Sequence, residues 1–154
     1  MKQISVLLIA MAFIAFISSC EKENDTTKPV ILLHEPADDD TLFIGHEVHL
    51  EMELSDDVKL KSYKVDIHSN LDGHSHTKSA MADVAWSFSK SWDVSGLRNT
   101  DIHHHEIEVP TTINGSPIAK GDYHFSVYVT DEAGNESKVV VDVIVGIGVP
   151  REEE

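Results

Sequence analysis

GDYHFSVYVTDEAGN, residues 121–135, is the stretch that decides the fold of this chain. Its apolar residues occupy every second position, at 123, 125, 127 and 129, which is the period of a β-strand with one buried face. Residues 131–135, DEAGN, have the composition of a turn, and valines at 139, 141, 143 and 145 resume the alternation. The stretch therefore predicts an antiparallel hairpin within an all-β protein.

The same alternation recurs along the chain. It predicts further strands at residues 30–33, 48–54, 63–68, 84–92 and 102–109, which are separated by turn-forming Pro, Asp and Gly. The apolar spacing of a helix is not sustained in any window. Seven or eight strands at this spacing predict an immunoglobulin/fibronectin-like β-sandwich.

The first twenty residues are typical of an export signal. Lys2 precedes an apolar run from Val6 to Ile17, which is shorter than the about 20 residues that a membrane-spanning helix needs. ISSC at 17–20 resembles the lipobox of bacterial lipoproteins, in which the cysteine becomes the new N-terminus and carries the lipids. The resemblance implies that Cys20, the single cysteine, is lipidated, and a single thiol allows no internal disulfide.

These features divide the chain into a signal peptide (1–19), an acidic tether (20–28), the sandwich (29–148) and a charged tail (149–154). The tether has no apolar periodicity. An acidic stretch directly after a lipidated cysteine resembles the surface-export signal of Bacteroidota lipoproteins. We therefore expect a cell-envelope protein anchored to the outer membrane, on either its periplasmic or its surface-exposed side.

The longer motifs PVILLHEP (29–36), YKVDIHSNLDGHSH (63–76) and GDYHFSVYVTDEAGNES (121–137), together with the SDD turn at 55–57, resemble a family of small Bacteroidota lipoproteins of unknown function (domain-of-unknown-function family 4625). The likeness covers nearly the whole chain after Cys20. It implies a lipid-anchored immunoglobulin-like domain. It supplies no activity, so the function has to be inferred from the residues themselves.

The charge balance restricts the partners. The formal net charge is −15 at pH 7. Such a chain repels nucleic-acid phosphates and anionic headgroups, which argues against a nucleic-acid partner and leaves membrane attachment to the lipid. It attracts cations.

Ten histidines are the most unusual feature of the sequence. In HSNLDGHSH, residues 68–76, a hairpin closed by the loop 69–73 would place His68 opposite His74 and Asp66 opposite His76. Imidazoles and a carboxylate within this reach suit zinc or cupric copper. His124 lies on the outer face of the strand expected beside this one, where it would complete the set of ligands.

A second concentration is DIHHHEIEV, residues 101–109. His103 and His105 share one face of the predicted strand and are further candidate metal ligands. Their parity with Ile107 and Val109 predicts that this face points inward, near the edge of the core. The alternative for all of these histidines is that they are solvated side chains of exposed strands.

Calcium is the rival cation. Asp56 and Asp57 lie in one predicted turn, and Asp131, Glu132 and Asn135 lie in the last one. In an immunoglobulin-like sandwich these turns share a pole, and oxygen-rich loops suit calcium. The spacing does not match an EF-hand.

An enzymatic function has little support. The sequence has no nucleophile elbow, no glycine-rich phosphate loop and no HExxH motif. Trp86, Phe88 and Trp92 share a parity that would suit a glycan-binding platform, but aromatics are few and are expected in the core.

The sequence therefore predicts a lipid-anchored, non-enzymatic protein that binds zinc or copper. It would support metal capture at the outer membrane, beside an outer-membrane protein partner. A surface adhesion or accessory module with incidental histidines is the alternative.

Overall fold

The computed structural model describes residues 25–70 and 83–150. In these ranges the regular secondary structure consists of β-strands. The strands are β1 (Val30–Glu35), β2 (Asp40–Phe43), β3 (Glu47–Ser55), β4 (Leu60–Ser69), β5 (Ser87–Asp93), β6 (Asn99–Glu108), β7 (Thr112–Ile113), β8 (Ser116–Pro117), β9 (Gly121–Asp131) and β10 (Glu136–Gly146). Among the described residues, no helix has the length and hydropathy to span a membrane.

Eight of these strands form two facing sheets. One sheet has the order β1-β3-β6, and the other has the order β2-β10-β9-β4-β5. All neighbours are antiparallel except β2 and β10, which are parallel. The chain therefore passes from the first sheet to the second between β1 and β2. This arrangement confirms the predicted all-β, immunoglobulin-like sandwich.

Two features of the fold were not predicted from the sequence. Strand β2 has only four residues, of which Leu42 alone is buried, so it has too little alternation to be recognised. Strands β7 and β8 form a two-residue ladder around Asn114 and Gly115, both of which have positive φ. Asn-Gly is the dipeptide that a tight hairpin turn favours.

The core lies between the two sheets and confirms the alternation. On β9 the inward residues Tyr123, Phe125, Val127 and Val129 are fully buried. Leu50, Met52 and Leu54 of β3 face them from the other sheet, with at most 1% exposed. Burying each such side chain stabilises the fold by about 1.5–3 kcal/mol, so these two strands hold the sheets together.

Trp86, Phe88 and Trp92 belong to this core, as expected. Trp86 is 5% exposed, and Phe88 and Trp92 pack against the buried cluster from β5. The Trp92 ring stacks on Tyr63 with centroids 4.9 Å apart. The three rings therefore do not form a flat exposed platform.

Tyr123 fixes the connection that leads into β9. Its buried hydroxyl donates to the Ala119 carbonyl at 2.8 Å and accepts the Trp86 amide N–H at 3.2 Å. A tyrosine that bonds back to the backbone a few residues upstream, at the start of this strand, is the tyrosine corner of immunoglobulin-like domains. One hydroxyl thus joins the segments that enter β5 and β9.

We expect Tyr123→Phe to lower the free energy of unfolding by about 1–3 kcal/mol, because it removes a buried hydrogen bond and leaves backbone groups without their partner. Urea denaturation measures the change. Tyr128→Phe is the matched control, since the Tyr128 ring lies on the outer face beneath Lys64 and Lys138 and keeps those contacts without its hydroxyl. Equal effects of the two substitutions would contradict the structural role of the Tyr123 hydroxyl.

Candidate metal centre

The centre of the three-stranded sheet carries two β-bulges that face each other across β3. On one side Val48 pairs with Ile107 and Leu50 with His104, so His49 opposes two residues of β6. On the other side the register between β1 and β3 shifts between Leu33 and Glu35. A bulge redirects the side chains next to it. Both bulges therefore re-aim side chains beside His49.

Three histidines meet on the outer face at this point. His49, His103 and His105 each offer a ligand atom, and these atoms lie within 4.8 Å of one another. The ring of His49 lies between the other two, with centroids 4.8 Å from each, and it stacks on His105 at an interplanar angle of 11°. The His103 and His105 rings are 5.9 Å apart.

Carboxylates surround these three imidazoles. Glu35 Oε2 lies 3.1 Å from His49 Nδ1, so the carboxylate orients the ring from the neighbouring strand. Metal-binding histidines commonly donate their second ring N–H to a carboxylate in this way. Glu51 lies directly opposite His103 in the ladder, and strand parity places it on the same outer face as His49. The donor set is therefore imidazole with carboxylate in support.

A groove opens beside the three histidines. It has a volume of about 1100 Å³ and lies where β1, β2 and β3 meet. His49 and His105 line it together with Glu35, His46 and Glu47. The groove gives solutes a path to one flank of the cluster, and its walls carry negative charge.

The predicted inward orientation of His103 and His105 is wrong, because both are exposed. The bulge at 105–106 inserts one residue, so parity counted back from Ile107 no longer holds beyond it. His104 is the residue that turns inward instead. Its Nε2 is 3.0 Å from the Tyr63 hydroxyl, and its ring packs on Trp92.

Glu106 closes the side of the sandwich next to His104. Its Oε2 accepts hydrogen bonds from Trp92 Nε1 at 2.8 Å and from Lys90 Nζ at 2.6 Å, both on β5. These bonds, above all that from Lys90, hold the pKa of Glu106 below its ordinary value. The edge strands β5 and β6 are thus joined across the two sheets.

Burial lowers the pKa of His104. The charge of Glu106 raises it, and Lys90, His105 and His103 lower it further. Burial likewise raises the pKa of Tyr63, with a smaller contribution from Glu106. The His104 ring nitrogens are both engaged within the protein, Nε2 with the Tyr63 hydroxyl and Nδ1 as acceptor of the Glu106 amide at 3.3 Å, so this histidine has a structural role.

The HSNLDGHSH prediction has a mixed outcome. Both edges of β4 are occupied at His68, which pairs with Ser87 on β5 and with His124 on β9. The predicted ladder between His68 and His74, and between Asp66 and His76, is therefore wrong. His74 and His76 lie outside the described residues, so their assignment as ligands stays a prediction.

Two members of the site predicted around HSNLDGHSH, His68 and His124, do come together. The rings of His68 and His124 are 5.5 Å apart, as their predicted neighbouring strands require. His68 Nδ1 lies 2.9 Å from Asp66, and His124 Nδ1 lies 2.7 Å from Asp142. Within the described ranges these residues do not form a third group of close metal-type ligands.

The acidic loops meet at one pole, as predicted. Asp56 and Asp131 lie within 4.8 Å of each other, and Asp25 joins them from the segment before β1. Burial raises the pKa of Asp131, but hydrogen bonds from Asn135 and from nearby backbone amides lower it more, so it ends below the ordinary value. Asp57 and Glu132 are not part of this group.

The fold and the histidine-bearing face define an all-β sandwich with a candidate metal centre on its smaller sheet. The chain belongs to the family described as a domain of unknown function (DUF4625), whose model matches residues 17–145. This match confirms the predicted membership of domain-of-unknown-function family 4625. A search among curated proteins finds no match.

Three participants in these sites were not recognised from the sequence. His49 alternates with apolar residues like any outward side chain, and Glu35 follows an apolar run; only the register across β3 brings them to His103 and His105. Asp25 lies in the segment that was predicted to be a tether. Cys20, the predicted lipidation site, lies outside the described residues.

The lowered pKa of His104 predicts how the stability of the fold depends on pH. Because its folded pKa lies below the ordinary 6.5, the unfolded chain takes up the proton first, and stability falls as the pH drops below about 6.5. In Glu106→Gln the charge that raises this pKa is gone. We expect the His104 ring to titrate at a lower pH in that variant, as measured by NMR.

Glu108→Gln is the matched control, because Glu108 lies on the same strand and is not among the charges that act on His104. It should leave the His104 titration unchanged. An upward displacement in Glu106→Gln would contradict the assigned electrostatics.

Proposed function

We propose that this protein binds a divalent transition metal, zinc or cupric copper, through His49, His103 and His105. It would be a lipid-anchored protein of the cell envelope that captures metal at the outer membrane. The observation that carries the proposal is the meeting of three imidazole ligand atoms within 4.8 Å on one face of a rigid sheet.

The geometry is close to what zinc requires. Nitrogen ligands about 2.0–2.1 Å from a tetrahedral ion lie about 3.4 Å from one another. The ligand atoms of the three histidines need to approach by up to about 1.4 Å, which rotations of the exposed His103 and His105 side chains toward the half-buried His49 would provide. A carboxylate such as Glu51, or water, would fill the fourth position. Imidazole ligands favour zinc or cupric copper over calcium or magnesium.

Strand-borne ligands also favour a specific site. His49 lies on β3, the central strand of its sheet, and His103 and His105 lie on β6. Because the two strands are paired on both sides of the bulge and are fixed by buried neighbours, the ligands are held before any ion arrives. The net negative charge of the chain increases the local concentration of cations.

The cellular location in this proposal rests on sequence alone. The motif ISSC at 17–20 supports a lipid on Cys20, and the acidic residues after it support export. A metal site on an anchored domain would concentrate metal at the membrane, where an outer-membrane partner could take it up. The groove beside His49 and His105 would receive either a metal complex or that partner.

Calorimetric titration with zinc and with cupric copper tests the site. We expect submicromolar binding of one equivalent, and a loss of at least a hundredfold in affinity in His49→Gln or His103→Gln. Glu35→Gln, which removes the carboxylate that orients His49, should weaken binding about tenfold. Affinity should fall as the pH drops through about 6.5, because protonated imidazole does not bind metal.

Two controls make the test specific. His34→Gln changes an exposed histidine of the neighbouring strand β1 and should leave binding intact. A His68→Gln/His124→Gln double variant changes the other histidine pair. Loss of binding only in the double variant would move the site to HSNLDGHSH. Weak binding that no substitution changes would favour the adhesion or accessory module.

A further inference from the structure

We infer that the pole of the sandwich formed by Asp25, Asp56 and Asp131 is a second cation site, specific for calcium, which ties the segment before β1 to the domain. The site is independent of the histidine centre. Seven residues of β-structure from His49 to Asp56 span about 23 Å, so the two sites do not share ligands.

The donors are all oxygen. Asp25 comes from the segment before β1, Asp56 from the turn between β3 and β4, and Asp131 from the end of β9. Their ligand atoms lie within 4.8 Å of one another. Carboxylates from separate loops are the ligands that calcium prefers, and backbone carbonyls and water complete its six to eight contacts.

The burial of Asp56 points independently to a ligand at this pole. Its side chain is 8% exposed, and its Oδ2 accepts the amides of Val58 and Lys59 at 3.0 and 2.6 Å. Its Oδ1 is buried and has no hydrogen-bond partner among the described residues. A buried carboxylate oxygen without a partner is costly, and a bound cation would provide that partner.

The balance of charge at the pole points the same way. Asp131 is fully buried, and no Lys, Arg or His of the described ranges forms an ion pair with Asp25, Asp56 or Asp131. Asp131 is instead held by Asn135 Nδ2 at 2.7 Å and by two backbone amides. Three carboxylates gathered without a positive partner repel one another, and a divalent cation would turn this repulsion into attraction.

The segment before β1 is already seated at this pole. Asn135 Nδ2 donates to the Asp25 carbonyl at 3.1 Å, and Thr27 Oγ1 donates to Asp57 at 3.1 Å. Ser137 Oγ donates to the carbonyl of Pro29, which is buried. An ion shared by Asp25, Asp56 and Asp131 would join this segment to two loops of the sandwich at once.

This arrangement has a consequence that rests on the proposed lipid on Cys20. Four residues lie between Cys20 and Asp25, and the five Cα-to-Cα steps that join them span at most about 18 Å. With calcium bound, the pole would therefore be held close to the membrane, and the histidine centre would face away from it. Without calcium, the segment is attached only by hydrogen bonds.

The test is a calorimetric titration with calcium chloride, on the protein purified in detergent and freed of metal with EDTA. We expect one equivalent to bind with a Kd no weaker than about 1 mM, the range of extracellular calcium modules. Calcium should also slow amide hydrogen exchange in residues 25–28. Magnesium should bind more weakly, because it demands a tighter octahedral shell.

Asp25→Asn and Asp56→Asn should each weaken calcium binding at least tenfold. Asp25 lies outside the strands, so its substitution keeps the fold. In Asp56→Asn the side-chain amide oxygen would still accept the two backbone hydrogen bonds of the turn. Asp57→Asn, which changes the neighbouring carboxylate, is the matched control and should bind normally. His49→Gln should also bind calcium normally, which separates this site from the zinc centre.

Absence of calcium binding at millimolar concentration would overturn the inference. Binding that Asp25→Asn and Asp56→Asn leave unchanged would overturn it as well, since the ion would then lie elsewhere. Binding without slower exchange in residues 25–28 would contradict the tie between the segment and the pole.

Discussion

The structure depends on β9 being paired on both edges along nearly its whole length. β4 lies on one side and β10 on the other, so every second side chain of β9 must enter the core. That constraint buries Tyr123 at one end of the strand and Asp131 at the other. The Tyr123 hydroxyl anchors the connection into β9, and Asp131 organises the turn that leaves it. The opposite sheet packs on this strand and is positioned by it.

The smaller sheet carries the candidate metal centre at the point where its ladders are irregular. Its central strand, β3, is fixed by a buried inner face, while bulges in β1 and β6 change the side chains next to its outer face. The bulge at 105–106 brings His105 beside His49 and turns His104 inward against Tyr63. One inserted residue thus places His104 inward, where it is structural, and leaves His105 outside as a candidate ligand. The sheet holds the histidine side chains in place, and the bulge brings together side chains that a regular ladder would keep apart.

Sequence patterns were sufficient for the sheets and insufficient for the register. Period-two alternation revealed β3, β4, β9 and β10, because each buries one face. A bulge leaves no mark in hydropathy, so His103 and His105 were assigned to the wrong face and His49 was overlooked. The hairpin expected after His68 failed for a different reason, since β5 and β9 already occupy both edges of β4. The acidic pole was predicted correctly because the topology alone brings those turns together. The position of Asp25 could not be predicted, because it depends on the path of the segment before β1.

The central claim is that His49, His103 and His105 hold one metal ion. Anomalous diffraction at the zinc edge, from crystals grown with one equivalent of zinc, tests it most directly. A single strong peak is expected about 2.0–2.1 Å from a ring nitrogen of each of the three histidines. A peak between His68 and His124, or no ordered zinc on the outer face of the smaller sheet, would contradict it.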